Sequence, residues 1–309
     1  MFVTRNDVIT LNNSSHTQTV EGIASNFTQH GIRLTVGYAA RENTAGRDAL
    51  GNNRNILLTN DDGIFAPGLA ALRQSLGRLG KVQVVAPASE QSGVSHSITY
   101  LEPLIIDDVY HGEDLFGRAV GGSPADCVKA AMLELCDPTP DLVVSGINSG
   151  SNAGINVLYS GTVAAAIEGA FFGVTSIAVS LSTHTRPDYE ATAAMATDLI
   201  GQLLAGKPSP GSLWNINFPK CQAGWPLGVK VVPMGLERYR EMLEKRTDPR
   251  GRTYYWSGLH PEQTPPTELN SDVAALTEGF VTITPLNFNL TCADEMQRVS
   301  DIEWHLPPH

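Results

Sequence analysis

Asp61 and Asp62 are adjacent carboxylates that close a short apolar run, Ile56-Leu57-Leu58-Thr59-Asn60. Two ionised carboxylates about 5 Å apart, at an effective dielectric of about 20, repel by roughly 3 kcal/mol. No Lys or Arg lies within the motif, and Arg54 and Arg73 are the nearest in sequence. A hard divalent cation would remove the conflict, because Mg²⁺, Mn²⁺ and Ca²⁺ favour carboxylate, carbonyl and hydroxyl oxygens. Taken alone, Asp-Asp-Gly also serves as a plain turn after a strand. Ser160-Gly161-Thr162 opens a helical stretch and could present backbone N–H groups and hydroxyls to a phosphate. A simple helix cap would look the same. Asn148 and Asn152 sit in a Gly/Asn/Ser loop, where Asn also serves as an ordinary loop residue that tolerates left-handed backbone. Ser92, in the polar stretch Ser89 to Ser95, carries no signal of its own. His96 and His184 are acid/base candidates by residue type alone and read as satisfied loop or surface histidines. Asp126 reads as a helix anchor rather than a chemical group.

The elements that would position these residues alternate between strand and helix. The run at 56–58 suits a buried strand, and Pro67 then opens a helix with Leu69, Leu72, Leu76 and Leu79 at helical spacing. Val82 to Val85 reads as the next strand, and Pro87 to Ser97 as a polar loop. Further helices are expected over Pro124 to Leu135, Gly161 to Phe172 and Tyr189 to Leu204. Strands are expected over Asp141 to Ser145, Ser176 to Ser180 and Leu213 to Phe218, with a loop from Gly146 to Tyr159. This alternation predicts an α/β fold with a parallel, doubly wound sheet. In such sheets ligands bind outside the carboxyl ends of the strands. The four polar segments all fall at those ends. After about Lys220 the pattern turns to strands at Val229 to Pro233, Thr253 to Trp256 and Val281 to Thr284, with a charged stretch from Glu237 to Arg252, so an arm-like, β-rich subdomain is expected.

Composition narrows the function classes. The formal net charge is −11; residues 1–54 carry five Arg and four acids, hence +1, which leaves −12 for the remainder. So acidic a body is repelled by duplex nucleic acid and by anionic membranes. An anionic substrate would need a local reversal of sign, which a bound cation supplies. Cys127, Cys136, Cys221 and Cys292 form no Cys-x-x-Cys pair and no zinc spacing, and read as buried free thiols in a reducing, cytoplasmic compartment. The most apolar window, 163–181, contains Glu168 and reads as a buried helix and strand, not a membrane span. Residues 1–54 are rich in Asn, Thr, Ser and Gly without sustained periodicity. They read as a poorly ordered extension or an upstream start, and less well as a transit peptide; no secretory signal pattern opens the chain.

Several motifs in order resemble one known family. Ile56 to Ile64 (ILLTNDDGI), Ala86-Pro87 with Gln91-Ser92-Gly93, Ser145 to Asn152 (SGINSGSN) and Tyr159 to Ala166 (YSGTVAAA) are similar to the survival protein SurE nucleotidases. The likeness continues in Gly122 to Val128, Asn215 to Pro219, Asp248 to Arg252 with Tyr254-Tyr255-Trp256, and Gly279 to Leu286. It spans roughly residues 55–292, with 293–309 left as a C-terminal tail and residues 1–54 inheriting nothing. The resemblance implies a Rossmann-like core, an arm at about 220–292 used in subunit exchange, and a homodimer or homotetramer. It implies hydrolysis of nucleoside 5′- and 3′-monophosphates, extending to exopolyphosphatase activity on polyphosphate. It further implies one divalent ion per subunit, Mg²⁺ or Mn²⁺, on Asp61, Asp62, Ser92 and Asn148, and phosphate contacts from Asn152, Ser160, Gly161 and Thr162. Asn289 stands where the family pattern leads one to expect Asp.

The chemistry expected from such a site is metal-assisted, in-line attack of water on a phosphomonoester. Asn152 and the helix N-terminus would hold the developing charge, and Asp62 is the candidate to take the proton. Three rivals stand beside it. Phosphatases that form an aspartyl-phosphate use Asp-x-Asp, whereas Asn60 occupies the first place of that triplet here. Nucleoside hydrolases bind a hard cation near a second acidic pair, which Ile64 to Gly68 does not offer. The third is a nucleotide sensor or scaffold that binds without turnover.

Overall fold

The computed structural model describes residues 54–182, 187–237, 241–260 and 266–307. The expected extension therefore lies outside the described residues except for Arg54, and so does His184.

The apolar run becomes β1 (Arg54–Thr59), whose last four residues are all buried. Ile56 and Leu58 enter one core cluster and Leu57 another, so successive side chains feed opposite faces of the sheet. A strand buried on both sides reads as a continuous apolar run, which is why this one was visible in sequence. Helix α1 (Pro67–Leu76) follows and buries Leu69, Leu72 and Leu76 against the first cluster. Next come β2 (Gly80–Pro87), a hairpin of β3 (Ile106–His111) and β4 (Asp114–Val120), and α2 (Pro124–Ala130), which runs into a π-turn at Ala131–Leu135. Then β5 (Leu142–Ser149), a 3₁₀ turn (Gly154–Leu158), α3 (Gly161–Phe171), β6 (Thr175–Leu181), α4 (Tyr189–Ala205) and β7 (Leu213–Phe218) complete the alternating core.

The main sheet has nine strands in the order β3-β4-β2-β1-β5-β6-β7-β11-β8, where β8 is Val229–Val231 and β11 is Val281–Leu286. The pairs from β4 through β7 are parallel, while β3 and β11 join antiparallel. From β1 the chain moves to β2 on one side and later to β5 on the other. The strand order thus reverses between β1 and β5, and the carboxyl ends at such a reversal are where open α/β sheets bind ligands. This is the expected Rossmann-like, doubly wound α/β architecture.

The C-terminal part carries the expected antiparallel arm, built from fewer strands than expected. Among the described residues, β9 (Glu241–Thr247) and β10 (Thr253–Leu259) alone form a separate antiparallel hairpin. The strands at 229–231 and 281–286 extend the main sheet instead, β11 beside β7 and β8 beside β11. Two short helices also appear, α5 (Asp272–Thr277) and α6 (Ala293–Ser300), the latter within the expected tail and with no buried residue. The thiol reading needs correction too: Cys127 is buried and Cys136 half-buried, but Cys221 and Cys292 are exposed, because both lie outside the packed helices.

Gly68 shows how tightly α1 is set on β5. A Cβ there would meet the Ile147 carbonyl oxygen at 2.3 Å and a Tyr189 ring carbon at 3.2 Å. A helical Gly→Ala change otherwise gains up to about 1 kcal/mol. Here the clash is with backbone, so Gly68→Ala is expected to destabilise by about 1–3 kcal/mol. Urea unfolding should show a lower midpoint with an unchanged slope; a midpoint at or above the wild-type value would refute this packing.

Candidate active site

Three connections carry the site at the carboxyl edge. Asp61 and Asp62 follow β1, Ser92 lies after β2, Asn148 closes β5, and Asn152 and the N-terminus of α3 follow it. Asn60 shapes the first turn. Its Nδ2 donates to the Gly63 carbonyl (2.9 Å) and its Oδ1 accepts from the Gly63 N–H (3.2 Å), so the two carboxylates are displayed in a fixed loop. The Ser92 loop is tied in by the Gln91 N–H, which donates to the Asp61 carbonyl oxygen at 2.7 Å.

Asp61 is 5% exposed, and its carboxylate accepts the hydroxyl proton of Thr162. Gly161 is pressed against it: a Cβ on Gly161 would lie 2.8 Å from the Asp61 Cβ and 3.1 Å from its Oδ2. Glycine is required there by space. Burial pushes the Asp61 pKa up to about 6, a rise opposed by the Thr162 hydroxyl and reinforced by the Asp62 charge. Asp62 is also raised, first by burial, with the neighbouring Glu90 adding repulsion and the Ser149 N–H opposing at 3.1 Å. Among the described residues, neither carboxylate has a Lys or Arg partner. Nor do three or more His, Cys, Asp or Glu residues gather anywhere among them in a metal-holding group. Any cation at this edge would therefore rely on two carboxylates completed by hydroxyl and amide oxygens.

The structure brings some predicted residues into direct contact and holds others apart. Asp61, Gly161 and Thr162 touch, and Asp62 reaches the backbone beside Asn148. The Ser92 hydroxyl donates instead to Glu90 Oε1 at 2.6 Å. Asn148 Nδ2 donates to the Gly150 carbonyl at 2.9 Å, which leaves its Oδ1 as the atom available to a cation. Asn152 is 8% exposed and held from three sides. Its N–H donates to Asn217 Oδ1 (2.8 Å), its Nδ2 to Ser180 Oγ (2.9 Å), and its carbonyl accepts from Asn215 Nδ2 (2.7 Å). Ser160 caps α3 through its Oγ, which accepts the Val163 N–H at 3.1 Å.

Some positioning residues were not singled out in the sequence. Asn215 and Asn217 share one face of β7, and two buried Asn at spacing two in a central strand are the signal that could have found them. Glu168 on α3 is a second such group: it is 6% exposed and pairs with His96 (2.8 Å) and more distantly with Lys129 (3.8 Å). His96 is thus a satisfied loop histidine, also stacked on Phe171, and it anchors the Ser92 loop to α3. Asp126 is a helix anchor as expected, forming a capping box with Ser123 and accepting the Thr99 N–H. Asn289 lies in an exposed turn, with its Oδ1 accepting from the Thr291 N–H.

Residues 56–241, more than half of the chain, match the family model described as Survival protein SurE. A protein from Rhodopirellula baltica named 5′-nucleotidase SurE is 56% identical over 254 residues, covering 82% of this chain and 99% of that one. Another of the same name, from Heliobacterium modesticaldum, is 43% identical over 247 residues, with 80% and 90% covered. The chain belongs to the SurE family. Among solved structures, a SurE protein from Aquifex aeolicus superposes with a TM-score of 0.70 at 38% identity, covering 80% of this chain and 98% of that one. The segments that carry Asp61, Ser92, Asn148 and Ser160 all lie inside the matched stretch of the family model. No helix among the described residues is long and apolar enough to cross a membrane.

The raised Asp61 pKa has a stability consequence of definite sign. Between the ordinary carboxylate value of 3.8 and about 6, the folded chain holds a proton that the unfolded chain has released. Without divalent ions, that contribution to stability is full below 3.8 and is lost as pH rises through about 6. Asp61→Asn removes the penalty, so in chelator at pH ~8 it should raise stability by up to about 3 kcal/mol, with the gain vanishing near pH ~4. Urea unfolding at the two pH values checks this, and an equal effect at both would contradict the desolvated carboxylate.

Proposed function

We propose that the chain hydrolyses nucleoside 5′-monophosphates, and 3′-monophosphates as well, to nucleoside and phosphate. The observation that carries this reading is the desolvated Asp61–Asp62 pair at the strand-order reversal, facing the N-terminus of α3 across Gly161. Family membership supports the reaction class, a phosphoric monoester hydrolase.

The residues present fit a hard divalent ion. Asp61, Asp62, Ser92 and Asn148 together can present oxygen ligands, and burial, with no Lys or Arg paired to them among the described residues, disfavours both carboxylates. These four would hold one Mg²⁺ or Mn²⁺ per subunit. When bound, such an ion supplies Lewis-acid polarisation of a phosphoryl oxygen and a lowered pKa for an attacking water.

The protein's own part is orientation and charge placement. The first turn of α3 directs its N-terminal dipole toward the carboxyl edge, where the Ser160–Gly161 end can receive phosphate oxygens. Thr162 is committed to Asp61 and acts on the site through that carboxylate. Asn152, fixed by Asn215, Asn217 and Ser180, is pre-set beside the phosphate position, so its dipole needs no reorganisation as charge develops. Asp62 takes the proton of the attacking water. The proposal extends to exopolyphosphatase activity, to a cytoplasmic location and to a homodimer or homotetramer. In it, residues 55–292 form the phosphatase domain, followed by a tail, and the β9–β10 arm exposes Leu243, Tyr255 and Trp256 for exchange between subunits.

Phosphate release from a panel of nucleoside monophosphates, with chelator and after adding back Mg²⁺ or Mn²⁺, tests this directly. Release should stop in chelator and return with either ion. Asp61→Asn and Asp62→Asn should each lose roughly 100-fold or more of turnover together with ion binding. Undiminished hydrolysis in chelator, or a variant with full activity, would defeat the assignment. A trapped phosphoenzyme or a free nucleobase product would point to aspartyl-phosphate chemistry or nucleoside hydrolysis instead.

A further inference from the structure

A cleft of about 320 Å³ opens along the amino-terminal halves of β2 and β4. Gln83 in its wall precedes Pro87, the carboxyl end of β2, by four residues, or about 13 Å of strand. The cleft therefore lies at the opposite end of the strands from the candidate active site.

Its charge is opposite to that of the molecule. Arg73 from α1, Lys81 from β2 and Arg118 from β4 line it, against one carboxylate, Asp137. In a chain of net charge −11, three cations converging on one cleft need a reason. Arg118 is partly engaged, with Nη1 donating to the Leu135 carbonyl at 2.6 Å and Nε 3.3 Å from Asp108. Lys81 is exposed and has no ion-pair partner among the described residues. The Arg73 guanidinium lies over the Phe116 ring, 4.9 Å from its centroid, which fixes its plane.

Two donors in this wall are orphaned. Arg73 Nε and Gln83 Nε2 are both fully buried as atoms and have no acceptor. Leaving a buried donor unmet costs about 1–3 kcal/mol, so the Gln83 amide, on the same face of β2 as Lys81, marks a place for an acceptor-rich anion beside positive charge. Water could serve one donor but leaves the charge. The thiol of Cys136 registers the same field: burial pushes it up to about 11, and Arg118 and Lys81 pull against that rise.

We propose that this cleft is a second, non-catalytic site for a phosphate group, carried either by free phosphate or by a nucleotide. A phosphate dianion presents acceptor oxygens on several sides. It can meet the Gln83 amide, the Lys81 ammonium and the Arg118 guanidinium on the Cys136 side of the sheet, with charge-assisted bonds to two of them. The inference goes beyond the proposed catalysis and does not depend on it, since binding here needs neither turnover nor a metal.

The test is calorimetric titration of the full-length chain, kept in chelator, with inorganic phosphate and separately with adenosine monophosphate. One binding event per chain is expected. Lys81→Glu should weaken it roughly tenfold or more, and Gln83→Leu severalfold, while Asn152→Ala leaves it unchanged. Lys81 is exposed, so its variant should keep the wild-type circular dichroism and unfolding midpoint. If charge reversal does disturb folding, Lys81→Gln carries the same prediction with a smaller loss. Similar affinities for the two probes assign the site to free phosphate, and a nucleotide preference of roughly tenfold assigns it to nucleotides. No binding at millimolar probe overturns the proposal. So does binding that ignores Lys81 and Gln83, or that disappears with Asn152→Ala alone.

Discussion

The site depends on one constraint: a buried carboxylate, Asp61, and a half-buried one, Asp62, stand side by side, and among the described residues no Lys or Arg pairs with either. Burial is the largest cause lifting both pKa values; the Asp62 charge adds to the cost at Asp61, and the Glu90 charge to that at Asp62. The surrounding fold makes that cost permanent. Gly161 has no Cβ, so α3 can approach Asp61 closely enough for Thr162 to donate to it. The Asn60–Gly63 turn prevents the loop from swinging outward, and the Gln91 N–H fixes the Ser92 loop to the same backbone. A protein that only had to end a strand would gain nothing from this arrangement. A cation bound at the reversal of strand order, as proposed, would convert the repulsion into an attraction, and the acidic body would then present a positive point to an anionic substrate.

The supporting contacts run deeper than the carboxylates. Asn152 is held by Asn215 and Asn217 on β7 and by Ser180 on β6, so two strands beyond β5 help to set one loop residue. On the other side, His96 and Glu168 tie the loop after β2 to α3. Buried polar groups of this kind are costly when half satisfied and rigid when fully satisfied. Their arrangement fixes Asn152 and the loop after β2 in place at the carboxyl edge.

Legibility from sequence followed burial closely. β1, β5, β6 and β7 are covered on both faces and read as apolar runs; α1 and α4 bury one stripe each, while α3 is buried almost all round and reads as a small-residue apolar run. The β3–β4 hairpin was missed because β3 (IDDVYH) is almost wholly exposed and carries two acids, so no alternation marks it. The strand β5 ran on to Ser149, past its expected end, because its pairing with β6 resumes at Asn148 after an irregularity. Sequence placed the site segments at one edge, since β-α-β connectivity dictates which ends of the strands they leave. It could not show that Thr162 serves Asp61, or that the Ser92 hydroxyl turns to Glu90, since both are outcomes of loop packing.

The most direct measurement of the central claim is anomalous diffraction from crystals of the Mn²⁺-loaded chain. The account predicts one peak per subunit at the carboxyl edge, with oxygens of Asp61, Asp62, Ser92 and Asn148 at about 2–2.5 Å. A loaded crystal with no peak there, or with the ion seated on other residues while Asp61 and Asp62 remain bare, would contradict it.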